Sequence, residues 1–327
     1  MRGLFIACLL MVTTSCFTQA LIARSSLGTT TFYTTLNSAY SACINGDTIY
    51  LPGGAFEAPS QFNKQLHIFG SGAKIDSSSA TGITKLYTTG TEIKINTGSA
   101  YSTFEGIYFD DHVTIGSTSA LDNDLHNIVF KYCDFNFDLK FGVVTPTPIN
   151  LITLIDCELN NLNGQDAENC AFYNCLLLGG ESDFKNGLFK NCVFMNHVWY
   201  NENTNFENCV FGSGAYSATG TFDTYCAYIN CIITYCCTGV TNTFVENKYC
   251  FPLFQYEVGG EGYGLIPGCA GINGGSDGTD VGLYGGSFAW KNGMIPSNPH
   301  VESKIILDVS NPDGTLDINI NVNAQDQ

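Results

Sequence analysis

The sequence predicts an all-β solenoid, a parallel β-helix of stacked coils, and three observations carry that reading. A seven-residue phrase is stated twice, 17 residues apart: Leu188-Phe189-Lys190-Asn191-Cys192-Val193-Phe194, then Asn205-Phe206-Glu207-Asn208-Cys209-Val210-Phe211. Degenerate copies extend it in both directions, with cysteines 133, 157, 175, 192, 209 and 231 at intervals of 24, 18, 17, 17 and 22. A fixed period near 20 residues marks repeats that each form one coil stacked on the last. Finally, 44% apolar and 13% charged residues with 35 Gly, 23 Phe and 17 Tyr describe many short strands and turns rather than disorder. At roughly 20 residues per coil the repeat region holds about 10–11 coils, a rod ~50 Å long at ~4.8 Å per coil.

Residues 1–20 read as an export signal: Arg2, the apolar run Leu4–Val12 and a polar stretch ending Thr18-Gln19-Ala20. The run is far shorter than the roughly 20 residues that span a bilayer. Cleavage after Ala20 fits the small residues there; lipid modification at Cys16, behind Thr14-Ser15, is the alternative. Either route takes the chain out of the cytoplasm, and no later segment is apolar enough for a transmembrane helix.

Thr29–Tyr33 reads as a strand. Leu36, Ala39, Tyr40 and Cys43 then have the i, i+3, i+4, i+7 spacing of a short helix, placed to cover the open end of a stack. Asn45–Gly54 is turn, strand, turn. Less regular coils follow at Leu66–Gly72 and Phe104–Phe109. The explicit phrase begins at Ile128–Phe135 and continues through Leu154–Leu159, Phe172–Leu177, the two central copies, Tyr228–Ile233 and a degraded Phe244–Tyr249.

Within the phrase, Phe189 and Cys192 would face opposite sides of a flat strand. Both are interior in character, so the chain must bend between them. Asn191 suits the bend because asparagine tolerates the left-handed region. Stacking then aligns Asn174, Asn191, Asn208 and Asn230 in a ladder, each amide bonding the next. Cys175, Cys192, Cys209 and Cys231 form a second, buried column. A leucine-rich repeat also keeps Asn or Cys at a fixed turn, but it needs an L-x-x-L-x-L stretch that is missing.

The phrase Gly46-Asp47-Thr48-Ile49-Tyr50-Leu51-Pro52-Gly53-Gly54 after a short helix resembles the opening of right-handed parallel β-helix proteins of the pectate-lyase-like superfamily. Asp277-Gly278-Thr279-Asp280-Val281-Gly282-Leu283-Tyr284-Gly285-Gly286 resembles the closing phrase of many exported bacterial members, an end-of-helix turn. The resemblance implies a right-handed, single-stranded β-helix. The expected layout is a signal over 1–20, the β-helix with its N-terminal cap over 21–272, and the Gly/Asp-rich closing turn with a C-terminal hairpin over 273–327. The hairpin strands are Glu302–Val309 and Leu316–Val322 about Asn311-Pro312-Asp313-Gly314.

The superfamily contains pectate lyases, with an arginine base and calcium-binding aspartates, and polygalacturonases with Gly-His-Gly and Arg-x-Lys motifs. Here the only arginines are Arg2 and Arg24, and both motifs are missing, which excludes those two chemistries. A lyase or glycosidase with a nonstandard site is the alternative. Its acids would come from neighbouring coils, such as Asp134, Asp156 and Glu158, or Glu207 with Asp183, unless these are simply a solvated face.

Thirteen cysteines remain after cleavage at Ala20, an odd number. Cysteines on adjacent parallel strands sit one strand spacing apart, beyond the ~3.8 Å Cβ separation a disulfide prefers, so the repeat cysteines read as small core hydrophobes. Cys226, Cys236, Cys237, Cys250 and Cys269 lie off the repeat and are the disulfide candidates. Cys226-x4-Cys231-x4-Cys236 has no zinc-site spacing.

A net charge of −17 repels nucleic acid, and repels anionic polysaccharide unless cations bridge. Asp277 and Asp280 form an oxygen-rich loop that suits calcium but lack the EF-hand ligand order; no other cofactor is implied. The most suggestive surface stretch is His197–Asn203. Its Trp199, Tyr200, Asn201 and Glu202 combine aromatic faces with polar edges, as a sugar ring requires; the bland alternative packs Trp199 and Tyr200 over the coil edge. The expected function is an exported module, non-catalytic, that binds carbohydrate or serves a structural role.

Overall fold

The structure is a computed structural model describing residues 21–74, 81–116, 125–142, 149–212, 223, 225–233, 243–246, 254–255, 262–288, 290–291, 293–294, 296, 300–306, 310–311 and 313–323. Residues 1–20, read above as an export signal, with Cys16, and Cys236, Cys237 and Cys250 lie outside the described residues.

The chain is all-β, dominated by two long parallel sheets, with one helix, Leu36–Ala42. The first sheet runs in chain order through Asp47–Tyr50, Leu66–Phe69, Thr103–Glu105, Val129–Lys131, Thr153–Ile155, Ala171–Tyr173, Leu188–Lys190, Asn205–Glu207, Ala227–Ile229 and Thr243–Val245. The second takes the following strand of each repeat: Gly54–Glu57, Thr84–Tyr87, Tyr108–Phe109, Asp134–Phe141, Glu158–Glu168, Leu176–Leu177, Val193–Phe194, Val210–Phe211 and Ile232–Ile233. Asp134–Phe141 and Glu158–Glu168 are long enough to pair again beyond a register shift. Their far halves continue a lateral row with Ile93–Ile95, Val113–Ile115, Glu181–Lys185 and Val198–Trp199.

The repeat phrase explains this alternation. Its fourth residue sits at positive φ in each copy: Tyr132 (52°), Asp156 (50°), Asn174 (50°), Asn191 (55°), Asn208 (53°) and Asn230 (51°). That left-handed step turns the chain from the first sheet to the second and points the residues on both sides of it inward. Phe189 and Cys192 are both fully buried. The register places Phe172, Phe189, Phe206 and Tyr228 in one interior column. Their rings stack face to face, with centroids 4.3 Å (172–189), 5.2 Å (189–206) and 4.8 Å (206–228) apart. Ring pairs near this distance contribute about 0.5–1.5 kcal/mol beyond area burial.

Cys133, Cys157, Cys175, Cys192, Cys209 and Cys231 form the buried column beside it, all with free thiols. Cys226 does not lie off the repeat: it immediately precedes the first-sheet strand Ala227–Ile229, as Cys170 immediately precedes Ala171–Tyr173. Cys269 is disulfide-bonded.

A second row of left-handed residues, not anticipated from sequence, turns the chain at the other end of the first-sheet strands: Asn127, Asn169, Asn186 and Asn203, at φ 50–55°. It is here that an amide bonds an amide, Asn203 Nδ2 donating to Asn186 Oδ1 at 2.6 Å.

At the N-terminal end, Ile22–Ser26 runs antiparallel to both Thr29–Tyr33 and Asp47–Tyr50 and stops the parallel pairing. Arg24 holds this junction, its guanidinium 2.8 Å from Asp47 Oδ2. The helix is capped by Thr35, whose hydroxyl accepts the Ser38 N–H, and it buries Leu36, Ala39 and Tyr40. Among the described residues no helix is long and apolar enough to cross a membrane.

The Gly/Asp-rich segment expected as an end turn instead runs back along the outside of the stack. Gly271 lies on Ile232, Ser276 on Asn208, Gly282 on Val210, and the carbonyls of Leu283 and Gly285 on Asn174. Further on, the Phe288 ring is 5.5 Å from Tyr173, Lys291 Nζ is 5.5 Å above the Tyr132 ring, and Pro296 abuts Gly106. The segment is a strap crossing the flank from the last repeats to the first. Val281, Leu283, Trp290 and Met294 bury there against the outward row Leu176, Val193, Val210 and Ile232. The second-sheet strands are therefore buried on both faces, which explains the unbroken apolar pairs Leu176-Leu177, Val193-Phe194, Val210-Phe211 and Ile232-Ile233.

Candidate functional site

Lateral-row strands build a cleft of about 440 Å³ on the outer face of the stack. Strand alternation sorts its residues. Leu139, Leu162, Glu181 and Val198 share the inward column, and Lys140, Asn163, Ser182 and Trp199 the outward one. The outward set lines the cleft, joined by Asp138, Asn161, Asn196 and His197. The lining is thus amide and hydroxyl groups, one carboxylate–ammonium pair and one aromatic wall.

That wall is a stacked pair. The His197 and Trp199 rings have centroids 4.8 Å apart and planes inclined by 17°. His197 Nδ1 and Trp199 Nε1 are buried and have no hydrogen-bond partner among the described residues. A buried polar atom without a partner is costly, and both carry bonding capacity that no described residue uses. Across the cleft Lys140 Nζ meets Asp138 Oδ2 at 2.9 Å, and Asn161 Nδ2 donates to Asp138 Oδ1 at 2.9 Å. Partial burial raises the Asp138 pKa, but the bonds from Lys140 and Asn161 outweigh it and hold the carboxyl below its ordinary range.

Of the four residues singled out from sequence, only Trp199 lines the cleft. Tyr200 is 53% exposed at φ 58°. Glu202 faces Lys185 at 3.7 Å. Asn201 is buried behind the wall, where Nδ2 donates to Glu181 Oε2 at 3.0 Å and its N–H donates to Asp223 Oδ1 at 2.8 Å. Tyr228 Oη completes this interior network, donating to Asp223 Oδ2 at 2.6 Å. Burial first, then the nearby Asp223 charge, pushes the Glu181 carboxyl well above its ordinary value. Burial also raises Asp223, to about 6, against the bonds from Tyr228 and Asn201. Asp138, Lys140, Asn161, Asn163, Ser182 and Asn196 were missed because their strands depart from the repeat phrase.

Of the acids expected to gather, Asp134 and Glu158 do so, bridged by a lysine, while no contact joins Glu207 to Asp183 among the described residues. Asp134 and Glu158 stand opposite each other in register, and Lys74 Nζ bridges them at 2.8 and 2.9 Å. Asp156 lies in the bend column, buried. Glu207 pairs with Lys190 at 3.1 Å, and Asp183 accepts from Ser182 Oγ at 2.7 Å. The ladder amides bond the strap rather than one another. Asn174 Nδ2 donates to the Leu283 and Gly285 carbonyls at 2.6 and 2.7 Å, and Asn191 Nδ2 to the Asp280 and Gly282 carbonyls at 3.2 and 3.3 Å. Asn208 Oδ1 accepts the Ser276 N–H at 2.9 Å.

Asp277 and Asp280 shape the strap. Asp277 Oδ1 accepts the Thr279 N–H and hydroxyl at 3.0 and 2.6 Å, and Asp280 Oδ1 accepts the Asn273 N–H at 2.8 Å. Among the described residues no three His, Cys, Asp or Glu side chains gather as a metal ion requires. Comparison with protein-family models, curated proteins and solved structures finds no match to this chain.

Proposed function

We propose that the chain is an exported, right-handed parallel β-helix module that binds carbohydrate in the cleft bounded by Trp199 and His197. The β-helix reading rests on the strict alternation of strands between two parallel sheets and on the left-handed residue that separates them in each repeat. Export rests on the character of residues 1–20. Fold alone says little about function, so the binding reading rests on the cleft. The observation that carries it is the stacked His197–Trp199 wall with two unused ring nitrogens, set opposite amide and hydroxyl groups. An aromatic wall meets the apolar face of a sugar, and amides and hydroxyls meet its edge.

A polysaccharide-cleaving enzyme is the less favoured reading. Asp138, the carboxylate beside the outward row of the cleft, is held below its ordinary range and is engaged by Lys140 and Asn161. The test is retention of the mature chain on immobilised polysaccharides, together with a reducing-sugar and unsaturated-product screen. Retention should fall at least tenfold in Trp199→Ala, with no product released. Product release abolished by Asp138→Asn or His197→Ala would establish the enzyme instead.

A further inference from the structure

We infer that the cleft selects uncharged sugars over uronates, and that Asp138 is the residue that sets this preference; the inference rests on the carbohydrate-binding reading. Among the described residues Lys140 is the only lysine or arginine lining the cleft, and Asp138 neutralises it at 2.9 Å. Asp138 is itself held in place by Asn161 at 2.9 Å, and His112 Nδ1 lies 3.3 Å from its Oδ2. A second carboxyl, Glu181, borders the cleft from the inward column and bonds Asn201. The lining therefore presents no uncompensated positive charge, in a chain whose net charge is −17.

A uronate would bring a carboxylate into this setting without a free cation to meet it. It would do so against a like-signed protein field that reaches about 8 Å at physiological salt. A neutral hexose brings only hydroxyls, which the Asn161, Asn163, Asn196 and Ser182 side chains can donate to and accept from. Asp138 thus acts as a filter rather than as a sugar ligand. It occupies the ammonium that would otherwise recruit acidic glycans, a specificity device built from an opposing charge.

The test is calorimetric titration of the full mature chain with cello-, manno-, xylo- and chito-hexaose and with hexagalacturonate, at 20 and 200 mM NaCl. The wild type should bind at least one neutral hexaose and should bind hexagalacturonate at least tenfold more weakly. Asp138→Asn uncovers Lys140 and should tighten hexagalacturonate binding roughly fivefold at 20 mM salt, an effect that salt screens. The effect is read as the ratio of hexagalacturonate to neutral-hexaose affinity in the same chain, so that a general change in cleft binding cancels. Lys140→Gln is the companion, should Asp138→Asn fail to fold: it strips Asp138 of its counter-charge and should lower the ratio of hexagalacturonate to neutral-hexaose affinity further at 20 mM salt.

The inference is overturned by a wild type that binds hexagalacturonate as tightly as its best neutral ligand. An Asp138→Asn chain that folds and binds neutral hexaose but gains nothing for the uronate overturns it equally, as does a Lys140→Gln chain whose ratio of uronate to neutral affinity rises. A wild type that binds no hexaose of either kind defeats the carbohydrate reading itself, which separates the two failures.

Discussion

Asp156 takes the bend position that asparagine holds in the following repeats at 174, 191, 208 and 230, at the same left-handed φ. Its Oδ1 is buried without a hydrogen-bond partner among the described residues. Burial, reinforced by Cys157 and opposed by Lys291, raises its pKa to about 9. At neutral pH it is therefore a carboxylic acid, the closest stand-in for the amide its neighbours use. Its folded pKa lies above the unfolded value near ~3.9. The site is consequently neutral to stability below pH ~4, and the penalty for keeping its proton grows as pH rises towards 9. Asp156→Asn should match the wild type near pH 4 and exceed it by a few kcal/mol at pH 8, measured by denaturant melts across that range. A gap independent of pH would refute the assignment. The bend itself was legible in the sequence, because few residues besides glycine adopt positive φ as readily as asparagine. The partners of the ladder amides were not, since Asn174 bonds carbonyls 109 and 111 residues away along the chain.

At the scale of elements, the phenylalanine column and the strap are held by different means. Phe189 is enclosed by Phe172, Phe206, Phe184 and Phe194. Phe189→Ala should cost about 3–5 kcal/mol, read by chemical denaturation, because the stacked backbone cannot collapse onto the void. The strap depends on close approach. A Cβ on Gly285 would lie 1.7 Å from the Asp280 carbonyl oxygen and 2.7 Å from Asn191 Nδ2. Gly285→Ala should therefore loosen the strap, lower the melting temperature by several degrees, and open residues 270–296 to proteolysis while the repeats stay intact. Cleavage confined to other segments would count against this. The first-sheet strands and the cysteine column were legible from the period alone. The strap was misplaced to the end of the stack because its sequence is glycine and turn residues whatever it lies against. The cleft was legible only through Trp199, since the lateral strands carry no repeat phrase and their faces emerge only from register.

For the whole molecule, the free thiols make a test of how completely the stack closes. Nine described cysteines are free, and all are buried. In the native chain, iodoacetamide should leave Cys133, Cys157, Cys175, Cys192, Cys209 and Cys231 unmodified over hours, and all should react once urea unfolds it. Burial raises the thiols of Cys192 and Cys209 well above their ordinary values, which further suppresses the reactive thiolate. Modification of an interior cysteine without unfolding would mean the repeats open locally.

The strap also changes how the repeats depend on one another. In a stack where each repeat touches only its neighbours, stability is a sum of local contributions, and the ends can fray one unit at a time. Here a single covalent segment reaches from Ile232 back past Asn208, Asn174 and Tyr132 to Gly106. Loss of the terminal repeat must peel the strap from that repeat as well, and it loosens the strap's hold on every earlier one. A linear array is thereby tied into a ring of mutual support, so the molecule should melt as one body rather than unravel from its tip.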